Sequence, residues 1–282
     1  MKPNRAFRQV DVFTSTPYRG NALAVVLDGD GLADEQMQRF ARWTNLSETT
    51  FLLPPRSAQA DYRVRIFTPG GELPFAGHPT LGSAHCWLEA GGVPKSSEFI
   101  VQECQVGLVR LRRDGARLAF AAPSLQRGEP GAEAVAQVAA ALGLQQAQVL
   151  AAQTLDNGPV WLGLLLDSPA TVLALAPDHG ELKRLGHKVG VAALYPAGGS
   201  GPQLEVRAFA APIGIAEDPV TGSLNASLAQ WLIEAGRLPR RYLAAQGACL
   251  DRAGRVHIER DEQGQVWVGG DSVTCISGAV AL

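Results

Sequence analysis

The sequence predicts an α+β protein made of two similar halves, and three observations point to this class. Residues 65–91, RIFTPGGELPFAGHPTLGSAHCWLEAG, are echoed by residues 207–236, RAFAAPIGIAEDPVTGSLNASLAQWLIEAG. Short apolar runs separated by Gly, Pro and Asp-Gly are typical of strands. Each echoed segment also contains one mostly apolar stretch with helical spacing. One echo at about half the chain length indicates a duplicated domain, because a solenoid needs three or more shorter repeats.

The first half is expected to consist of short strands interrupted by one amphipathic helix. The helix is expected at residues 34–43, where Met37, Phe40 and Ala41 share a face. The expected strands are residues 10–13, 22–27, 50–53, 62–67, 106–111 and 118–121.

The pattern restarts after Pro123, so the second half is expected to begin there. A helix is predicted at residues 132–142, ending at Gly143. We expect the halves to be residues 1–122 and 123–272, with the returning strand, within residues 273–282, crossing back to the first half. The further expected strands lie near Val149 and at residues 160–166, 189–195, 204–209, 256–259, 266–268 and 273–280.

Each echoed segment is expected to hold a buried helix that begins at a proline, Pro79 or Pro219. Proline favours the first helical position because its missing N–H would have no helical partner there. The preceding residues, His78 and Asp218, are therefore expected at the N-cap positions. The apolar residues with helical spacing are Leu81, Ala84, Cys86, Trp87 and Leu88 in one segment and Leu224, Leu228, Trp231 and Leu232 in the other.

The two helices are expected to end at Gly91 and Gly236, since glycine is favoured just after a helix. Their N-termini carry Gly77 and Gly222, so backbone N–H groups there are accessible to an anion such as a carboxylate or an enolate. Two such helix ends predict a site that clamps one small acid.

Composition and charge exclude several classes of function. With 46% hydrophobic residues, 18% charged residues and a formal net charge of −2, the chain is typical of a globular protein and has no basic stripe for nucleic acid. No apolar run is long enough for a membrane span and the N-terminus lacks a signal-like stretch, so a cytoplasmic protein is expected. Neither G-x-G-x-x-G nor the P-loop motif occurs, which disfavours nucleotide cofactors.

The cysteine and histidine spacings predict neither a disulfide framework nor a metal site. The cysteines lack C-x-x-C spacing and the histidines lack zinc-ligand spacing, so no metal and no cofactor are expected. The cysteines are expected to be buried thiols: Cys86, Cys104, Cys249 and Cys275.

Three side chains are candidates for chemistry: Glu48, His78 and Asp218. Glu48 lies at the mouth of an apolar strand, where partial desolvation favours the protonated carboxyl and suits a general acid or base. The alternative is a solvated loop glutamate. His78 is a candidate proton shuttle or hydrogen-bond donor, and Asp218 a candidate substrate ligand; the alternative for each is a helix cap alone.

The chain resembles the phenazine-biosynthesis PhzF-like family of the diaminopimelate-epimerase-like superfamily. Five segments in order carry the resemblance: DVFTSTPYRGNALAVV, NLSETTFL, RIFTPGGELPFAGHPTLGSA, VRAFAAPIGIAEDPVTGSLNAS and QGACLDRAGRV. The resemblance implies two pseudo-symmetric domains, each a curved, mostly antiparallel sheet wrapped around a central helix. It also implies an active site in a cleft and commonly a homodimer.

The resemblance also assigns roles to individual residues. Glu48, in the L-S-E-T-T motif, matches the proton-transferring acid of the family, and His78 and Asp218 match residues that assist it or bind substrate. The remaining residues expected to bind substrate are Asn21, Gly77, Pro79, Thr80, Gly222 and Ser223.

One departure from the superfamily narrows the chemistry. Epimerases of this fold resemble one another in using two opposed cysteines, which our alignment places at Ala76 and Ala216. Because alanine transfers no proton, we expect a cofactor-independent isomerase that moves a proton on a small carboxylate through Glu48. Two alternatives remain: an epimerase that pairs Glu48 with His78 or Asp218, and a catalytically silent ligand-binding or interaction protein.

Overall fold

The fold was analysed in a computed structural model, which describes residues 4–115 and 117–282. The predicted start of the first half, at residue 1, lies outside the described residues. The chain forms two compact units. Unit 1 runs to Ala121 and includes Gly269–Leu282, and unit 2 is Ala122–Val268.

The chain contains many short strands and few helices, which confirms the predicted α+β class. The strands are β1 (Asn4–Val12), β2 (Asn21–Val26), β3 (Glu48–Leu53), β4 (Tyr62–Phe67), β5 (Glu72–Leu73), β6 (Phe99–Cys104), β7 (Gly107–Asp114), β8 (Arg117–Ala121), β9 (Gln126–Gly128), β10 (Val149–Asp156), β11 (Val160–Leu166), β12 (Val189–Leu194), β13 (Leu204–Ala210), β14 (Ile215–Asp218), β15 (Arg241–Gln246), β16 (Gly254–Arg260), β17 (Val266–Gly270) and β18 (Ser272–Ala281). The helices are α1 (Asp34–Thr44), α2 (Gly77–Glu89), α3 (Ala132–Ala141), α4 (Pro169–Ala174), α5 (His179–Leu185) and α6 (Gly222–Glu234).

The strands of unit 1 form a mostly antiparallel sheet. Strand β1 pairs antiparallel with β2 and with the last strand, β18. Strand β2 is parallel to β3, β3 is antiparallel to β4, and β4 is antiparallel to β5 and parallel to β6. The antiparallel strands β6, β7 and β8 follow.

Unit 2 repeats this order of pairing. Strand β10 is antiparallel to β9 and β11, β11 is parallel to β12, and β12 is antiparallel to β13. Strand β13 is antiparallel to β14 and parallel to β15, which is antiparallel to β16. The sequence echo thus corresponds to the same sheet topology within each unit.

One side-chain arrangement is also repeated. In unit 1, the Arg65 guanidinium lies 5.0 Å from the Phe67 ring centroid and donates two hydrogen bonds to the Glu72 carboxylate on β5. In unit 2, Arg207 lies 5.0 Å from the Phe209 ring centroid and donates two hydrogen bonds to Glu217 on β14. In each unit, an arginine therefore ties a central strand to the short strand that leads into the buried helix.

The helices α2 and α6 pack on the inner faces of their sheets and are mostly apolar and buried. Gly82 allows α2 to approach the sheet closely, because a Cβ there would lie 2.6 Å from Leu23 Cδ2. In unit 2 the glycine lies on the strand instead: a Cβ at Gly190 would lie 2.3 Å from Leu224 Cδ1 of α6.

The predicted ends of these helices are close to the observed ones, but the predicted starts are wrong. Gly91 and Gly236 follow the helices with positive φ angles of 91° and 68°. Helix α2 begins at Gly77, so His78 and Pro79 are its second and third residues and the N-cap is Ala76. A proline fits there because the first helical N–H groups have no helical acceptor.

The start of α6 differs more strongly from the prediction. Its N-cap is Thr221, and Pro219 lies before the helix, since Asp218 still belongs to β14. Pro79 and Pro219 are therefore not equivalent positions of the two helices. The helices themselves begin at Gly77 and Gly222, 145 positions apart.

The outer faces of the sheets carry the other helices. Helix α1 covers a cluster in unit 1, and α3, α4 and α5 cover a cluster in unit 2. Helices α4 and α5 and strands β6 and β15 were not predicted from the sequence, although Ser168 and Pro169 form a recognisable start for α4. The expectation that all four cysteines are buried is wrong for Cys249, which is exposed, and for Cys275, which is half-buried.

Candidate active site

Glu48 is the first residue of β3, placed there by a sharp turn after α1. The turn uses Asn45, whose left-handed φ of 53° ends the helix. Strand β3 then runs parallel to β2, with Glu48 opposite Leu23. The Glu48 side chain is 14% exposed, so it is accessible at the end of an otherwise buried strand.

The structure brings Glu48, His78 and Asn21 together in unit 1. His78 Nε2 lies 3.4 Å from Glu48 Oε2, and His78 Nδ1 lies 3.4 Å from Asn21 Nδ2. His78 and Asn21 are almost completely buried. Three polar groups thus lie together: the Asn21 amide at the start of β2, the Glu48 carboxyl at the start of β3 and the His78 imidazole near the start of α2.

The contact between Glu48 and His78 is not an ion pair at neutral pH. Burial lowers the pKa of His78 to about 3, against the opposing effect of a backbone hydrogen bond with Ala22. The imidazole is therefore neutral, with Nε2 facing a carboxyl oxygen. A neutral imidazole next to a carboxyl is suited to hold or orient a proton.

The N-terminus of α2 presents backbone donors beside this group. The side chain of the N-cap residue, Ala76, accepts no hydrogen bond from the helix. The N–H groups of Gly77 and His78 have no carbonyl acceptor within the helix. Pro79 has no N–H and can contribute only apolar contact. The Thr80 N–H bonds to the Ala76 carbonyl. Two N–H groups and the positive end of the helix dipole thus favour an anion here.

The side chain of Thr80, which was expected to bind substrate, is buried and hydrogen-bonded inside unit 1. Its hydroxyl accepts a hydrogen bond of 3.0 Å from Gln102 Nε2 of β6. The Gln102 amide oxygen in turn accepts a hydrogen bond of 3.0 Å from the Tyr62 hydroxyl. Thr80 and Gln102 are fully buried, so this network fixes the helix start on the sheet.

In unit 2, Asp218 belongs to a second buried network. Asp218 Oδ2 accepts a hydrogen bond of 2.6 Å from the Thr221 hydroxyl. Gln246, at the end of β15, bonds to both residues: its Nε2 donates to the Thr221 hydroxyl and to the Asp218 carbonyl. Asn225 of α6 donates to the Gln246 amide oxygen. The network holds Asp218, the last residue of β14, against Thr221, the N-cap of α6.

Gly222 and Ser223 are the first two residues of α6. Gly222 is buried, and the Ser223 hydroxyl accepts a hydrogen bond of 3.2 Å from Trp161 Nε1. The Ser223 carbonyl accepts a hydrogen bond of 2.9 Å from Asn157 Nδ2. The first N–H groups of this helix also lack helical acceptors, as in α2.

The structure corrects one of the two positions that correspond to the superfamily cysteines. Ala76 lies directly before α2, as expected. Ala216 lies in β14, and the residue directly before α6 is Thr221. Because Thr221 carries a hydroxyl rather than a thiol, neither position provides a cysteine acid or base.

Four members of these networks were not predicted from the sequence: Gln102, Thr221, Asn225 and Gln246. Gln102 and Gln246 lie in strands that were not predicted, and polar residues at the ends of apolar runs were the available signal. Within the described ranges, no three His, Cys, Asp or Glu side chains are grouped as a metal site requires. The same residues include no helix long and apolar enough to cross a membrane.

Two repeated α+β units, each with a central buried helix, place the chain in the class of proteins with an epimerase-like fold. In each unit a carboxyl side chain lies near the start of the buried helix, Glu48 beside His78 and Asp218 beside Thr221. The chain belongs to the family described as "Phenazine biosynthesis-like protein", whose model matches residues 10–278. The PhzF-like resemblance predicted from the sequence is thereby confirmed.

Individual relatives agree with this assignment. The trans-2,3-dihydro-3-hydroxyanthranilate isomerase of Pseudomonas aeruginosa is 35% identical, with 97% of this chain and 98% of the relative covered. "Antisense-enhancing sequence 1" of Schizosaccharomyces pombe is 36% identical, with 97% of each covered. The solved PhzF-family phenazine biosynthesis protein of Bacillus anthracis has a TM-score of 0.86 at 22% identity, covering 99% of this chain and 100% of that one, and supports the fold. The predicted class, an isomerase of the PhzF type, is confirmed.

Proposed function

We propose that this chain is a cofactor-independent isomerase in which Glu48 moves a proton on a small carboxylate substrate. The observation that carries the proposal is the 3.4 Å approach of Glu48 Oε2 to the neutral, buried His78 imidazole. An accessible carboxyl group is able both to give and to take a proton, and the neutral imidazole beside it can orient that group. His78 assists Glu48 in this proposal.

The start of α2 supports the choice of a carboxylate as substrate. The Gly77 and His78 N–H groups offer two donors at the positive end of a buried helix, and the side chain of His78 lies beside Glu48. An enolate formed during proton transfer is stabilised by the same donors. Asp218, Gly222 and Ser223 are proposed to contact substrate because they match the family motif E-D-P-V-T-G-S.

The geometry argues against one form of the epimerase alternative, the form that pairs Glu48 with His78; the pairing with Asp218 stays open. An epimerase that removes and returns a proton on opposite faces of a carbon needs its two groups opposed. Glu48 and His78 lie side by side, so they do not form such a pair.

Deuterium incorporation tests the proposal directly. We propose trans-2,3-dihydro-3-hydroxyanthranilate as the first compound to assay, because it is the substrate named for the Pseudomonas aeruginosa relative. In heavy water the wild-type chain should place deuterium on a carbon of the substrate, since a carboxyl proton exchanges with solvent. Glu48→Gln should lower the rate by about 10²- to 10⁴-fold, the range for a general acid or base.

The matched control is Glu98→Gln, which makes the same chemical change at an exposed position of unit 1. That variant should keep the wild-type rate. Full exchange in Glu48→Gln would assign the proton transfer to another residue. Binding without any exchange in the wild-type chain would favour the silent ligand-binding alternative.

The remaining proposals concern location and assembly. We propose that the protein is a cytoplasmic homodimer and that its two units correspond to the duplicated halves of the sequence. Light scattering tests the dimer: a mass of about twice the 29.8 kDa of one chain is expected, and a mass of one chain would contradict it.

A further inference from the structure

We propose that Thr221, oriented by Gln246, is a positioning residue that holds Asp218 as an ionised carboxylate. The inference rests on the proposed function for its catalytic meaning, because Asp218 is a proposed substrate contact. It assigns a role to two residues that the family motif does not explain by itself.

The Gln246 amide has only one possible orientation. Its Oε1 accepts a 3.0 Å hydrogen bond from the Thr221 backbone N–H, which is only a donor. Its Nε2 donates a 3.0 Å hydrogen bond to the Asp218 carbonyl, which is only an acceptor. Exchanging the oxygen and nitrogen would break both bonds, so the amide nitrogen must face the Thr221 hydroxyl, 2.9 Å away.

This orientation determines where the Thr221 hydroxyl proton points. The hydroxyl oxygen accepts a hydrogen from Gln246, and its single hydrogen remains to be donated. The 2.6 Å contact with Asp218 Oδ2 takes that hydrogen. Asp218 Oδ2 is therefore an acceptor, and the distance is typical of a hydroxyl bonded to an ionised carboxylate. A hydrogen bond to the charged form stabilises that form.

The surroundings support a dedicated role for Thr221. Although it is the N-cap residue of α6, its side chain caps no helix N–H. Asn225 donates to both the Thr221 carbonyl and the Gln246 oxygen, which fixes the network from the helix side. Arg207 on β13 and Glu217 on β14 form an ion pair with each other, and Glu205 on β13 interacts electrostatically with the same arginine.

Carbon-13 NMR of labelled aspartate carboxyl groups tests the inference. The Asp218 signal is identified by its loss in Asp218→Asn, and its titration is followed in the folded chain. Thr221→Val removes the donor and should raise the titration midpoint by roughly one pH unit, as expected for loss of one charged hydrogen bond. Thr221→Ser keeps the hydroxyl and should restore the wild-type midpoint. If Thr221→Val does not fold, Thr221→Ala makes the same comparison with a smaller side chain.

Thr171→Val is the matched control, because it removes a hydroxyl of α4, in the same unit, that is hydrogen-bonded to the N-cap residue Ser168. It should leave the Asp218 signal unchanged. An unchanged midpoint in Thr221→Val, or a protonated Asp218 at neutral pH in the wild-type chain, would overturn the inference. The titration needs no substrate, so its outcome is independent of the exchange experiment on Glu48.

Discussion

Replacing Glu217 with glutamine should destabilise the protein far more than the same change at its counterpart, Glu72. Arg207 and Glu217 are 6% and 7% exposed, and they share hydrogen bonds of 3.0 and 2.8 Å. Arg207 also donates to the carbonyls of Val172 and Leu175, so it is anchored in place. Glu217→Gln removes the carboxylate that is hydrogen-bonded to this buried guanidinium and leaves it only the more weakly interacting Glu205, which costs about 3–5 kcal/mol of unfolding free energy.

The counterpart in unit 1 provides the control. Arg65 is 21% exposed and has a second carboxylate partner, Asp34, at 2.6 Å. Glu72→Gln therefore leaves Arg65 paired and partly solvated, and should cost about 1 kcal/mol or less. Urea unfolding at neutral pH measures both variants. Equal losses of unfolding free energy would refute the reasoning that burial, rather than the pairing itself, sets the cost.

Two further predictions concern unit 1. The C2 proton signal of His78 should not titrate between pH 5 and 8, because burial holds the pKa of His78 near 3. In the unfolded chain, His78 binds a proton below about pH 6.5, so it lowers the free energy of unfolding progressively as the pH falls from 6.5 towards 3. A His78 signal that titrates between pH 5 and 8 would contradict this prediction. Gly82→Ala should cost about 1–3 kcal/mol in urea unfolding despite the higher helix propensity of alanine, since the new Cβ would lie 2.6 Å from Leu23 Cδ2. Gly71→Ala, with open space around its Cβ, should stay within about 0.5 kcal/mol, and comparable stability of the two variants would contradict the packing argument.

The sequence predicted the buried helices better at their ends than at their starts. A glycine after the helix is decided by local backbone geometry, and Gly91 and Gly236 both have the positive φ that favours glycine. The starts depend on how far the preceding strand pairs with its neighbour. In unit 2, the pairing of Asp218 with Ala208 keeps β14 extended, so Pro219 cannot begin the helix.

The candidate site was predictable only in part, for a related reason. Glu48, His78 and Asp218 lie in recognisable local motifs, and the structure brings Glu48 and His78 together. Gln102 and Gln246 were not predicted because their hydrogen-bond partners at the helix starts, Thr80 and Thr221, are 22 and 25 positions away in the sequence. Their role exists only through the parallel pairing of β6 with β4 and of β15 with β13.

The sequence by itself determined the internal echo, which is a comparison of two of its own segments. It also determined the α+β class, the apolar helices and the candidate residues, because each of these depends on residues close together in the sequence. Tertiary structure alone decided that the His78 imidazole is neutral, since its pKa depends on desolvation by residues packed around it. It also decided the direction of the hydrogen bonds from Gln246 through Thr221 to Asp218, because that direction follows from which donor and acceptor meet in space.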